Sequence, residues 1–213
     1  MDSYVITIAR ESGSGGLDIC KLLSQKLDIP YYDRDLLRYA SDVSGINEQL
    51  FGQADENVGM RALLNAAGKV YTGEILPPDD DDYVSTSNLF AFQAKVIKEL
   101  AAEKTSCIIL GRAANYLLQD YENVFRIFLH APMKWREARV EERNQTLSAF
   151  EVRRRINKED KRRGDYYHYY TGESWRDAGG YDVCFDTSVL GVEGTADKII
   201  ELLPHFISDA AEE

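Results

Sequence analysis

Residues 4 to 23 read YVITIARESGSGGLDICKLL, and the order of residue types in that stretch decides the fold. Tyr4-Val5-Ile6-Thr7-Ile8-Ala9 is rich in β-branched side chains and almost continuously apolar, the composition of a central strand buried on both faces. It stops at Ser12-Gly13-Ser14-Gly15-Gly16. Beyond the glycines, Leu17, Cys20, Leu22, Leu23 and Leu27 recur at helical spacing among Lys21, Gln25 and Lys26, which predicts an amphipathic helix. The unit is strand, glycine turn, helix.

That order suits an anion. Backbone N–H groups of such a turn converge on phosphate oxygens, and the helix behind it adds the positive end of its dipole. The full phosphate-loop pattern begins with a further glycine and ends in Gly-Lys followed by Ser or Thr. Here Arg10 stands near the first glycine, Gly16 stands where the lysine belongs, and Leu17 and Asp18 replace the magnesium-binding hydroxyl. The turn is thus open to two readings, a phosphate cradle or a plain tight connection. If phosphoryl chemistry occurs, other cations must meet the transition-state charge that lysine normally meets. Arg10 is nearest, because it leaves the carboxyl end of the first strand, where ligands of open α/β sheets gather. An ion pair with Glu11 or Asp33 is the alternative.

Working outward, Ile29-Pro30-Tyr31-Tyr32 is a short extended piece ending at Asp33, and residues 34–40 read as a helix with Leu36, Leu37 and Ala40 inward. Residues 46–74 look helical but weakly patterned. Pro77-Pro78 followed by Asp79 to Asp82 reads as a solvated loop between two helices of an inserted subdomain. Residues 88–104 give an amphipathic helix through Leu89, Phe92, Val96, Ile97 and Leu100. Residues 107–110 and 124–129 are two more core strands, followed by a charged helical region over 134–164 and an aromatic segment. A last strand near 181–185 precedes a closing helix with Ala196, Ile199, Ile200, Leu202 and Leu203. Strands alternating with helices imply a mostly parallel sheet with helices on both faces.

The composition narrows the function. At 213 residues and 44% hydrophobic, the chain suits one α/β domain with a sizeable core. A net charge of −11 and a pI near 4.8 disfavour nucleic acid and anionic membranes as partners. Against that acidic background, residues 153–163 carry Arg153, Arg154, Arg155, Lys158, Lys161, Arg162 and Arg163 with only Glu159 and Asp160 between them, which points to a small anionic ligand. No window approaches the roughly 20 apolar residues of a membrane helix, and Asp2 stands where a signal peptide would carry positive charge, so a cytoplasmic protein is expected. Cys20, Cys107 and Cys184 lie in or beside apolar runs and read as buried, reduced thiols.

Taken together, ITIARESGSGGLDI, PYYDRDLL, IILGRAANYLL, FRIFLHAP, RRRINKEDKRRGDYYHYYTG and YDVCFDTS resemble the cytidylate kinase-like family across nearly the whole chain and in the family's order. The resemblance implies a P-loop kinase-like three-layer α/β/α fold with a five-stranded, mostly parallel sheet. It also implies a core of residues 1–32, 96–141 and 171–213, a monophosphate-binding insertion at 33–95 and a lid at 142–170.

From it follow ATP and Mg²⁺, and small-molecule nucleotides as partners, with oligomeric state left open. Ser12, Gly13, Ser14, Gly15 and Gly16 would hold donor phosphates. Asp33 would lie at the substrate site, and Arg112 of the Gly-Arg pair would grip the acceptor phosphate, a task that suits the planar guanidinium fork. Thr187 and Ser188 would lie near the donor's adenine. Arg10 and the lid cations Arg155, Lys161, Arg162 and Arg163 would carry the catalytic charge, although the same helix face could be merely solvated and paired with Glu151 or Glu159. Arg34 or Arg38 could add a phosphate contact or pair with Asp35 or Asp42. Asp18 or Ser14 are the candidate magnesium ligands, and the run Tyr166 to Tyr170 could stack on a base or anchor the lid by packing.

Two departures bear on the acceptor: Ala113 follows Arg112 where the family usually has Asp, and Arg34-Asp35 replaces Ser-Gly after Asp33. The leading expectation is transfer of the γ-phosphoryl group of ATP to a small phosphorylated acceptor such as CMP or dCMP. The alternatives are a catalytically inactive nucleotide-binding or regulatory protein of the same fold, or a kinase for a different small molecule.

Overall fold

The computed structural model describes residues 3–56 and 71–207. Five parallel strands form one sheet in the order β2-β3-β1-β4-β5. They are β1 (Val5–Arg10), β2 (Tyr31–Tyr32), β3 (Cys107–Leu110), β4 (Val124–His130) and β5 (Val183–Asp186). The expected central strand is β1, with β3 on one side and β4 on the other.

The two-residue alternation of strand side chains divides the core. Ile6, Ile8, Ile108, Leu110, Phe125, Ile127 and Leu129 face one way and pack on α1 (Gly16–Leu27) and α8 (Thr187–Leu202). Val5, Cys107, Ile109, Val124 and Phe128 face the other way, toward α2 (Asp35–Ser44), α3 (Glu48–Glu56), α4 (Thr86–Ala102), the short α5 (Ala114–Leu117) and the aromatic end of α7 (Ala149–Thr171). Both faces of the central strands are therefore dry, as their composition requires, and the result is a three-layer α/β/α domain.

Several elements differ from the sequence reading. The helix expected to end at residue 40 runs to Ser44, stopped by Gly45 in the left-handed region at φ 71°. Of the weakly helical stretch 46–74, residues 48–56 form α3, residues 71–74 are not helical, and 57–70 lie outside the described residues. The charged region over 134–164 is two helices, α6 (Met133–Arg143) and α7, and α7 takes in the aromatic segment as its last turns. Asn144 ends the first, and Ser148 starts the second with a capping box to Glu151. Asp79 to Asp82 are exposed turn residues, as expected of a solvated loop.

All three cysteines are free, but Cys184 is exposed rather than buried. It lies on the edge strand β5 between Val183 and Phe185, which pack on the α1/α8 face, so alternation turns the thiol the other way. Among the described residues no helix is long and apolar enough to cross a membrane.

Candidate functional site

A cavity of about 870 Å³ opens at the carboxyl edge of the sheet, between the glycine turn, Asp33, the end of β3 and helices α6 and α7. The turn forms its floor. Gly13 and Gly15 have φ of 81° and 86°, in the left-handed region. A Cβ on Gly13 would stand 2.8 Å from the backbone oxygen of Arg136, so the turn is pressed against α6 and position 13 admits only glycine. Ser14 is buried and its hydroxyl donates to the Glu11 carbonyl at 2.9 Å, which braces the turn from inside.

The cavity's second wall is the turn after β3. Gly111, Arg112 and Ala113 have φ of 85°, 59° and 52°, three consecutive left-handed residues of which two carry a side chain. Each such non-glycine residue costs about 1–2 kcal/mol. Strain of this kind persists where the surroundings enforce it, commonly at functional sites. Its product is the placement of Arg112 in the cavity beside Tyr166 and Asp33. Burial lowers the pKa of Arg112, with Tyr166 and Asp33 opposing the shift and Arg162 and Arg34 adding to it.

Arg10 faces the same space from the end of β1, with its guanidinium 3.5 Å from the Asp33 carboxylate. Its pKa is pulled down to about 9, first by burial and then by Arg163 and Arg112, against the pull of Asp33. Arg163 is depressed by burial as well. These cations outweigh the carboxylates around them, so a bound anion would relieve the imbalance.

A buried ionic network behind the turn fixes this geometry. Asp160 on α7 accepts the Ser12 N–H at 2.7 Å, pairs with Arg136 at 2.5 Å, and has Arg176 at 3.4 Å. Glu11 accepts from Arg176 at 2.8 Å and lies 3.5 Å from Arg136 Nε. Arg163 donates to the Arg10 carbonyl at 3.1 Å. The glycine turn, α6, α7 and the loop carrying Arg176 are thereby clamped together.

Of the residues singled out from sequence, Arg10, Ser12, Gly13, Gly15, Gly16, Asp33, Arg112, Arg155, Arg162 and Arg163 all line this one cavity. Arg34, Tyr166 and Tyr167 line it as well, and the rest are engaged elsewhere. Lys161 is exposed and pairs with Asp165, and Arg38 lies over the Tyr39 ring at 5.6 Å. Thr187 is buried and donates to the carbonyls of Ser14 at 2.8 Å and His130 at 3.2 Å, so it braces the turn. Ser188 joins the Asp186 cap of α8. Tyr166, Tyr167 and Tyr170 are buried. Tyr170 stacks on Phe90 at 3.9 Å, and Tyr166 meets it edge-on at 5.9 Å, so the aromatic run anchors α7 to α4.

Sequence reasoning missed Arg139 and Arg143, which line the cavity on the other flank of the turn and both pair with Asp18. Their i, i+4 spacing on the helix after β4 was the available signal. It also missed Glu11, Arg136, Asp160 and Arg176 as one network, for which no local signal exists.

For Mg²⁺ the donor set is poor. The Leu17 side chain has no oxygen to offer, the Ser14 hydroxyl is turned inward, and Asp18 is held by two arginines. Among the described residues no group of three or more His, Cys, Asp or Glu side chains could hold a metal ion. For an anionic nucleotide the residues fit well: two obligatory glycines, a helix N-terminus and several arginines around one cavity.

Comparison with known proteins agrees with this geometry. The model of the cytidylate kinase-like family matches residues 5–189. Among solved structures, an uncharacterized protein from Eubacterium ventriosum ATCC 27560 is 25% identical with a TM-score of 0.69, over 94% of this chain and 98% of that one. Shikimate kinase from Bacteroides thetaiotaomicron is 14% identical with a TM-score of 0.52, over 94% and 98% of the two chains, a likeness of fold. No curated protein matches the sequence.

Proposed function

The chain belongs to the cytidylate kinase-like family, and we propose that it moves the terminal phosphoryl group of ATP to a small acceptor that itself bears a phosphate, a nucleoside monophosphate such as CMP or dCMP. The observation that carries this reading is the division of cations by the glycine turn. Arg139 and Arg143 lie on one flank beside Asp18, Arg112 and Arg163 lie on the other near Asp33, and Arg10 runs past Gly16 to Asp33, all five arginines lining the same cavity. Two anionic ligands, one on each flank, would use that division. An uncharged acceptor would leave the Asp33 flank with charge to spare.

In the proposed reaction an oxygen of the acceptor phosphate attacks the γ-phosphorus, the bond from that phosphorus to the β,γ-bridging oxygen breaks, and ADP leaves. A phosphate acceptor is already ionised, so no side chain need take a proton. The protein's task is to position both anions and to meet the charge that spreads over the transferring oxygens. The turn's N–H groups and the α1 N-terminus would hold the donor, with Arg139 and Arg143 exchanging Asp18 for phosphate oxygens. Arg112 would grip the acceptor phosphate through its planar fork, and Asp33 would orient the acceptor while keeping Arg10 in place. Tyr166, Tyr167 and Trp175 line the cavity and limit water there. Mg²⁺, where it accompanies ATP, would be held largely by phosphates and water, since the Ser14 hydroxyl is turned inward and Asp18 is held by two arginines.

The test is ADP release with Mg²⁺-ATP and separate CMP, dCMP, UMP, AMP and GMP, each against an acceptor-free control. A signal confined to one or more monophosphates is expected, and Arg112→Ala should reduce it by about 10²–10³-fold with the thermal midpoint unchanged. ATP binding with no acceptor-dependent ADP from any monophosphate would rule the reading out.

A further inference from the structure

We infer that Arg10 and Gly16 are one coupled unit, in which the cation that grips the terminal phosphates of the donor has moved from the first turn of α1 to the end of β1. The inference rests on the reading of the cavity as a nucleoside triphosphate site.

Position 16 is where a phosphate loop places its lysine, and nothing in the backbone forbids one here. Gly16 begins α1 and does not have a left-handed φ. What excludes a side chain is Arg10. A Cβ on Gly16 would stand 2.8 Å from Arg10 Cγ, 2.9 Å from its Cβ and 3.7 Å from its Cδ, and these are its three nearest atoms. The Arg10 Cβ is fixed to the backbone and its Cγ moves only with χ1, so any residue but glycine at position 10 keeps part of this collision.

The far end of Arg10 makes the same demand. A Cβ on Gly111 would stand 2.3 Å from Arg10 Nη1. Two glycines, one opening α1 and one closing β3, thus clear a path for a single arginine across the floor of the cavity. At its end the guanidinium lies 3.5 Å from Asp33 with 19% of the side chain still exposed, in the cavity that the glycine turn also lines. The sequence change at position 16 is therefore a relocation of charge, with a planar fork in place of a point charge.

The coupling makes a prediction that neither residue makes alone, read by calorimetric titration of ATP and of pyrophosphate into the full chain together with the thermal midpoint. Arg10→Gly and Arg10→Met should each weaken both ligands tenfold or more. Gly16→Lys alone should lower the thermal midpoint and weaken both ligands, because the new side chain collides with the arginine. Arg10→Gly/Gly16→Lys should lose little midpoint relative to Arg10→Gly and bind ATP at least fivefold better than it. Arg10→Met/Gly16→Lys should do neither relative to Arg10→Met, since the methionine stem still fills the space.

Unchanged ATP affinity in both single Arg10 variants would overturn the charge role. An equal midpoint loss from Gly16→Lys in the wild-type and Arg10→Gly backgrounds would overturn the coupling. Wild-type protein that binds ATP yet transfers to no acceptor would sink the proposed reaction and leave this inference standing, whereas failure to bind either ligand would end it.

Discussion

The two ends of helix α7 belong to one run of cations, yet they are held in opposite ways. At the start, Ser148 and Glu151 form a capping box, Phe150 is 76% exposed, and Arg153 pairs with Glu137 at the surface. Arg155 reaches the cavity from this end, with Asn144 as a hydrogen-bond partner at 3.3 Å. Eight residues further on, Arg163 sits beside a carboxylate that is itself only 7% exposed and tied to the glycine turn. The following tyrosines are buried against α4.

The difference teaches that cations of one helix can be of two kinds. Arg163 is placed in advance, because moving it means breaking its contacts with Asp160 and the Arg10 carbonyl, while Arg162 pairs with Glu159 on the same helix. Arg155 is held only by contacts that water can replace, so if any part of α7 closes over a ligand, its first turns are the part free to do so.

The strongest way to break this comparison is to remove the charge that locks the second end. Asp160→Asn keeps an acceptor for the Ser12 N–H but leaves Arg136 and Arg176 facing a neutral group. Removing one partner of a buried pair costs about 3–5 kcal/mol, so the thermal midpoint should fall by at least about 6 °C in a chain of this size. A midpoint within about 1 °C of wild type would mean that packing alone fixes this end.

A smaller effect is expected from the cavity arginines themselves. Arg163→Met should lower kcat/KM by about 10²-fold or more, as loss of a preplaced charge does. Arg155→Met should cost less and fall mainly on the nucleotide's KM. Equal losses with the same split would show that the two ends do not differ in function. Smallest of all, Arg153→Ala removes an exposed pair, and its thermal midpoint should stay within about 1 °C of wild type. A larger drop would mean that the first turns are held more firmly than their exposure indicates.

Much of this architecture was legible in the chain because the signals are local. A β-branched run with no polar face has to be a central strand, glycines after it have to be a turn, and a period of 3.6 has to be an amphipathic helix. The same logic put Arg10, Arg112, Asp33 and the glycines at carboxyl ends of strands, and the structure gathers them around one cavity. Lys161 and Arg162 are neighbours in sequence and equally cationic, but consecutive helical residues point about 100° apart, so Arg162 lines the cavity while Lys161 pairs with Asp165 in solvent. Thr187 ends its strand as a ligand residue would, yet the turn beneath it needed a donor for the Ser14 carbonyl more than the cavity needed a hydroxyl.

The sequence by itself determined the three-layer parallel fold, the glycine turn and the loss of lysine, because each follows from the spacing and identity of residues close in the chain. Only the tertiary structure decided which space Arg10 fills and what holds the glycine turn still. Arg10 lies six residues before Gly16 but a hundred and one before Gly111, and Ser12 lies 148 residues before Asp160. Whether such residues share a volume or a proton depends on how strands and helices pack across the sheet, and no local pattern encodes that.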